Sequence, residues 1–248
     1  MKPSNSKPRA KAAHAQTAAA VTGSASAAAP AKRKILLVDD HPFMRAGLAQ
    51  LLNKQTDLVV CGEAGDSSEA MAELGKQNFD IVLTDLTMPG RSGLEFIKDV
   101  LALHPKLPIL VVSMHDEMLY AERVLRAGGR GYIMKGAGGE NLLLAIRQIL
   151  QGEVYISPKV SAKIVDQFSA RKPRGSSSPI EHLSDREFEV FQLVGTGHST
   201  RDIAERLNLS PKTVDVYRGK IKEKLNLKDA TELVRYAVRW VETQNLQA

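Results

Sequence analysis

Between Ile35 and Gly152 the chain repeats one pattern five times: a short apolar run, then a stretch in which apolar residues recur every three or four positions. Short apolar runs without alternation suit strands buried on both faces, and the helical stretches suit crossovers between parallel neighbours. The predicted strands are 35–39, 58–63, 80–85, 108–114 and 131–135, and the predicted helices 42–54, 67–77, 92–104, 117–128 and 140–152. Five strands and five helices in this order leave one economical solution, an α/β doubly wound five-stranded parallel sheet. Ligands of such sheets sit beyond the carboxyl ends of the strands, near the reversal of strand order.

The rest of the chain differs in kind. Residues 153–182 lose strong periodicity, with an amphipathic piece (Val160, Ile164, Val165, Phe168) and then a Gly/Ser/Pro-rich run from Arg171 to Pro179. Four helical patterns follow, at 185–194, 200–207, 211–225 and 230–243, joined by short turns. The predicted organisation is a tail 1–33, an α/β domain 34–153, a linker 154–180 and a small all-α four-helix domain 181–245.

Charge is unevenly spread. Residues 1–34 carry seven Lys or Arg and no acid, more than the whole net charge of +6, whereas 35–157 hold 11 bases against 16 acids. The first segment is Ala, Ser, Pro and Lys with almost no large apolar residue, which predicts a disordered basic tail. The stretch 17–30 lacks Leu, Ile and Phe and is interrupted by Gly23 and Ser24, against a secretory leader. No run approaches the roughly 18 apolar residues of a spanning helix. The single cysteine, Cys61, sits in an apolar setting and excludes an intrachain disulfide. These features predict a soluble, cytoplasmic protein with no membrane partner.

Three carboxylates fall at strand ends on one edge: Asp39 and Asp40 after the first strand, Asp85 after the third. Two bare carboxylates about 4 Å apart repel by roughly 4 kcal/mol at an effective dielectric near 20. A cation is the simplest compensation, and oxygen ligands with room for water favour Mg2+. Ser113 and Lys135 close two further strands and supply a hydroxyl and an ammonium, groups suited to phosphoryl oxygens. Asp85 therefore reads as a nucleophile toward phosphorus.

In the second domain, Ser210 and Pro211 mark a helix start. Val214, Tyr217, Ile221 and Leu225 form its inward stripe, leaving Lys212, Asp215, Val216, Gly219, Lys220 and Glu223 on the other side. An exposed Val216 suits a thymine methyl, and Gly219 permits close approach. With the helix before it and the tight turn between them, the pair forms a helix-turn-helix. Six basic residues gather around this helix although the domain's charges cancel, and the local field outweighs the sum. The bases of the linker and tail either add sequence-independent attraction to DNA or only keep those segments solvated.

Asp39-Asp40, Asp85 followed by Met88-Pro89-Gly90, Ser113, Tyr132 and Lys135, in this order, resemble the receiver domain of two-component response regulators, of flavodoxin-like fold. That resemblance implies that Asp85 accepts a phosphoryl group from a sensor histidine kinase or phosphotransfer protein. It implies that Asp40, Asp85 and the Thr87 backbone carbonyl bind Mg2+, with Asp39 acting through water. Ser113 and Lys135 would hold the phosphoryl oxygens, and Tyr132 would be the switch aromatic or ordinary packing. His115 either tunes hydrolysis or is a loop residue, and His41 is a cap or surface residue rather than a ligand.

Leu183-Ser-Asp-Arg-Glu187, Ile203-Ala204, Leu209-Ser210, Thr213-Val214 and Lys224-Leu225 resemble the LuxR-type DNA-binding domain of NarL/FixJ response regulators. By that resemblance Asp215, Val216 and Gly219 read bases in double-stranded DNA, while Ser210, Lys212, Thr213, Arg218 and Lys220 meet phosphates. Asp215 either accepts from cytosine N4 or repels the backbone. The implied function is a phosphorylation-activated, DNA-binding transcription regulator, not an enzyme, that forms a homodimer when phosphorylated. Leu233, Val234, Ala237, Val238 and Val241 of the last helix either supply the dimer seam or, for most of them, pack in the core. Two rivals are a phosphohydrolase, which would need an acid or base where Thr87 stands, and a DNA-binding regulator whose receiver serves protein interaction without phosphorylation.

Overall fold

A computed structural model describes residues 31–88, 92–169 and 179–245. The predicted tail over 1–30, the Pro89-Gly90 break and the linker bases Arg171, Lys172 and Arg174 lie outside the described residues, as does the side chain of Phe168. Strands β1 (Arg33–Val38), β2 (Leu58–Ala64), β3 (Ile81–Thr84), β4 (Ile109–Ser113) and β5 (Gly131–Met134) form one parallel sheet in the order β2-β1-β3-β4-β5. The crossovers are α1 (Pro42–Asn53), α2 (Ser67–Lys76), α3 (Gly93–Leu103), α4 (Glu117–Arg126) and α5 (Gly139–Leu150).

Residue alternation along each strand sorts the core into two layers. Ile35 and Leu37 of β1 share one cluster with Leu52 of α1 and Ile146 and Ile149 of α5. Leu36 and Val38 face the other way, toward Ala70 and Leu74 of α2, Phe96 and Val100 of α3 and Val124 of α4. Strand order reverses between β1 and β3, so the residues just beyond them, Asp39 and Asp85, emerge side by side. Backbone bonds place both: Asp39 N–H donates to Ala64 O at 3.1 Å and Asp85 N–H to Val38 O at 2.9 Å.

The first part of the predicted linker differs from expectation, for Pro158–Ser169 is a helix, α6. Its spacing of Val160 and Ile164 is the reason: Val160 is buried and Ile164 packs on the core. Lys163 Nζ donates to Met118 O at 2.9 Å, and Ser157 Oγ to Glu117 Oε1 at 2.6 Å, tying this helix to α4.

Helices α7 (Asp185–Gly195), α8 (Thr200–Arg206), α9 (Pro211–Lys224) and α10 (Ala230–Asn245) build the second domain. Ser184 and Ser199 start α7 and α8 with capping boxes, and Ser210 caps α9 through Thr213 N–H at 3.1 Å. Asn208, at φ 50°, turns the chain between α8 and α9, a left-handed position that Asn tolerates. The helical domain packs on the sheet domain within one compact unit, Lys32–Ala248. No helix among the described residues is long and apolar enough to cross a membrane.

Glu187 locks α7 to α9. Its Oε2 accepts from Lys224 Nζ at 2.6 Å and from Ser184 N–H at 2.8 Å. Burial pushes its carboxyl up, but the Lys224 and Ser184 bonds outweigh that and hold it below the usual glutamate value of 4.5. A depressed folded pKa gives stability that is full above the unfolded value and lost as pH falls through the folded one. Glu187→Gln is expected to cost about 1–2 kcal/mol near pH 7 and progressively less below pH ~4, read from urea midpoints across pH.

Candidate functional site

The carboxyl edge of the sheet gathers most of the predicted residues. Asp39 and Asp85 are each 4% exposed, and Lys135 reaches between them, its Nζ 2.7 Å from Asp39 Oδ2 and 2.8 Å from Asp85 Oδ2. Burial alone would lower the Lys135 ammonium; the two carboxylates outweigh it and raise it above the usual lysine value. The second Asp85 oxygen accepts Leu86 N–H at 2.6 Å, which orients the carboxylate. The loop following β3 begins on Asp85, and Gly93 lets α3 close over it. A Cβ at Gly93 would stand 2.5 Å from Leu86 Cα, 2.8 Å from Leu86 O and 2.9 Å from Asp85 O.

These are backbone atoms and cannot yield cheaply. Gly93→Ala is therefore expected to cost about 1–3 kcal/mol and to slow phosphoryl uptake by shifting the Asp85 backbone, checked by thermal melts and mass-resolved labelling. The role of Gly93 was not visible in the sequence, where it reads only as the start of a helix.

Asp40 is half-buried beside them. His41, the N-cap of α1, brings its exposed ring near both acids, with Nδ1 2.6 Å from Asp40 Oδ1 and 3.2 Å from Asp39 Oδ1. The Asp40 contact lacks hydrogen-bonding direction, so this buried oxygen has no hydrogen-bond partner among the described residues. Asp39, Asp40, His41 and Asp85 present ligand atoms within 4.8 Å of one another. An orphaned carboxylate oxygen among three acids is a donor set that fits a hard divalent cation.

Ser113, at the end of β4, is 1% exposed; its Oγ accepts a long 3.5 Å bond from His115 N–H and also bonds the Tyr132 side chain. Thr87 is exposed, and its Oγ1 lies 2.7 Å from His115 Nε2. Tyr132 is buried with its hydroxyl donating to His115 O at 2.7 Å, and burial pushes the phenol well above its usual value. Burial also pushes the His115 imidazole down, favouring the neutral ring. Together these contacts make 113–116 a loop whose position is read by β3, β4 and β5 at once.

The second predicted site is the outer face of α9. Val214 and Ile221 are fully buried, whereas Lys212, Asp215, Gly219 and Lys220 are exposed and Val216 is 51% exposed. Nothing lies within 4 Å of where a Gly219 Cβ would be. Arg218 differs from its neighbours: half-buried, it donates to Thr200 Oγ1 at 2.7 Å and braces α9 against α8. Thr213 is half-buried and its hydroxyl pairs with Ser210 Oγ at 2.8 Å. In α10, Leu233 and Ala237 are fully buried in their own domain, and of the five candidate seam residues Val234 is the most open, at 39% exposed. The spacing of an amphipathic helix cannot distinguish a core face from a seam.

The comparisons agree with this two-part architecture. Residues 35–147 match the family model described as response regulator receiver domain, and residues 181–237 that of bacterial regulatory proteins, luxR family. "Oxygen regulatory protein NreC" of Staphylococcus carnosus is 37% identical over 210 residues, covering 83% of this chain and 97% of that protein. The NreC of a Staphylococcus aureus strain is 39% identical with the same coverage. Among solved structures, RcsB from Salmonella enterica serovar Typhimurium, bound to promoter rprA in the presence of phosphomimetic BeF3−, superposes with TM-score 0.60 at 26% identity. That match covers 84% of this chain and 99% of RcsB. With a receiver match, a luxR-family match and relatives along most of its length, the chain belongs to the NarL/FixJ family of two-component response regulators.

Proposed function

We propose that this protein is a transcription regulator that accepts a phosphoryl group on Asp85 and responds by changing how it binds DNA. The observation that carries the proposal is the convergence of Asp39, Asp40, Asp85 and Lys135 on one sheet edge, in a chain that also presents an open helix-turn-helix face. A histidine kinase or phosphotransfer protein is the physiological donor, and turnover is limited to slow self-dephosphorylation.

Asp85, Asp40 and the Thr87 carbonyl would hold Mg2+, with Asp39 behind them; bound there, the ion neutralises charge on the transferring phosphoryl group. The chain's own residues do the rest. The Leu86 N–H orients Asp85, so its other oxygen attacks phosphorus while the donor's bond to phosphorus breaks. Lys135, already beside that oxygen, moves its charge onto the phosphoryl oxygens. The Ser113 hydroxyl, which bonds His115 N–H at 3.5 Å and the Tyr132 side chain in the resting protein, turns toward them.

On DNA, Val216, Gly219 and Asp215 face the major-groove edges, and Ser210, Lys212, Thr213, Arg218 and Lys220 the phosphates. Lys220→Ala is expected to weaken binding to all sequences alike and to lower the salt slope by about one. The deciding experiment is labelling from acetyl phosphate with and without Mg2+, with binding to promoter fragments followed in parallel. Labelling that needs Mg2+ and tightens DNA binding supports the proposal; a kinase-treated protein that takes no label yet binds DNA unchanged overturns it.

A further inference from the structure

Helix α9 carries an acid on the face it turns outward. Lys212, Asp215, Val216, Gly219 and Lys220 are exposed together, and Asp215 stands in the second turn of the helix. The only other acid of α9, Glu223, lies more than two turns further on, toward the end away from the Ser210 cap. In a helix-turn-helix it is the N-terminal part of the second helix that reaches base edges. Asp215 is there and Glu223 is not.

An exposed helical acid ordinarily gains from a base three or four positions on. Here position 218 holds Arg218, whose guanidinium is directed to Thr200 Oγ1 at 2.7 Å, and position 219 holds a glycine. Asp215 consequently has no hydrogen-bond or ion-pair partner among the described residues, and Lys212, one turn before it, does not supply one. Gly219 sacrifices helix propensity and leaves open space one turn beyond the acid, with nothing within 4 Å of where its Cβ would be. The carboxylate therefore makes no bond in the free protein, while facing a polyanion it weakens binding unless it meets a donor.

The chemistry of the groove says which donor. A carboxylate accepts hydrogen bonds and donates none. Guanine presents O6 and N7 in the major groove and thymine presents O4, all acceptors that repel it. Adenine presents its N6 amino group beside the N7 acceptor, a pattern that suits an amide and opposes a carboxylate. Cytosine alone presents an amino donor, N4, with no acceptor beside it on the same base edge. Lys212 and Lys220, open on the same face, hold the helix on the duplex against the repulsion between Asp215 and the phosphates.

We propose that Asp215 is the specificity-determining residue of α9: its carboxylate accepts from cytosine N4 at one position of each half-site and penalises the other three bases there, guanine and thymine most. Discrimination at that position comes as much from repulsion of the wrong bases as from the bond to the right one. The assignment rests on the proposed reading of α9 as the helix that enters the major groove.

The test selects tight binders from randomised duplexes with the full chain, in acetyl phosphate and Mg2+ at one fixed salt concentration, and then measures affinity for the selected duplex and its single-position variants. Wild type is expected to fix a cytosine in each half-site and to lose roughly 5- to 150-fold when that base is changed to guanine or thymine. Asp215→Asn is expected to move the preference at the same position from cytosine to adenine, since an amide can both accept from N6 and donate to N7. Asp215→Ala is expected to bind the four bases there within about twofold of one another, and to bind random duplex more tightly than wild type does. A cytosine preference that survives both substitutions overturns the proposal. So does an Asp215→Ala protein that gains affinity for every sequence with its base preferences unchanged, because the acid would then only repel the backbone. Val216→Ala and Lys220→Ala in the same assay separate this failure from a failure of the underlying reading. If they alter binding while the Asp215 variants keep the wild-type preference, α9 reads DNA without Asp215; if all four variants bind as wild type does, α9 is not the reading helix and both fall.

Discussion

Asp85→Asn is expected to take no phosphoryl group from acetyl phosphate at any Mg2+ concentration, and to lose the whole of the activation-dependent gain in DNA binding. The amide has no anionic oxygen to form the acyl phosphate, and it halves the negative charge facing Lys135. The fold survives. The amide oxygen can still accept Leu86 N–H, now bonded at 2.6 Å, and Lys135 keeps Asp39 at 2.7 Å. What is lost is one charge-assisted bond, with the amide N–H₂ left facing an ammonium, for about 1–3 kcal/mol. Intact-protein mass spectrometry after acetyl phosphate, with a thermal melt on the same sample, separates the two effects. A labelled Asp85→Asn protein would place the acceptor elsewhere.

Lys135→Met carries the largest expected effect on stability. Asp39 and Asp85 are both 4% exposed and share this one ammonium. Removing it leaves two buried carboxylates face to face, and breaking a buried pair in this way costs about 3–5 kcal/mol. The loss is expected in chelator-containing buffer and is smaller with Mg2+, because an ion that binds only the folded state at 100 times its Kd returns about 2.7 kcal/mol. Urea denaturation with chelator and with Mg2+ measures the difference. An equal loss in both buffers would show that Lys135 stabilises the fold by packing and not by compensating the acids.

Much of the sheet was legible because strand and helix periods are local. Asp39, Asp85 and Ser113 end apolar runs, and in a parallel sheet every such end lies on one edge, so their convergence followed from one-dimensional spacing. The inward stripe of α9 was readable for the same reason: Val214 and Ile221 are buried where their spacing places them. Helix α6 was half legible, its apolar spacing plain but its partner α4 some forty positions away. On α10 the spacing left core and seam both open, and the burial of Leu233 and Ala237 assigns those two to their own core, because helical spacing is identical for a core face and an interface.

By itself the sequence determined which residues reach the carboxyl edge, which helix turns its polar side outward, and the chemical character of both places. Only the tertiary structure decided how the two places are connected. Arg123, Tyr120 and Asp185 look like ordinary surface residues of amphipathic helices. Their meeting across 62 positions between Arg123 and Asp185, and 72 between Tyr120 and Gln192, depends on how two finished domains dock. Docking sums many small contacts at large sequence separation, and no local pattern encodes such a sum.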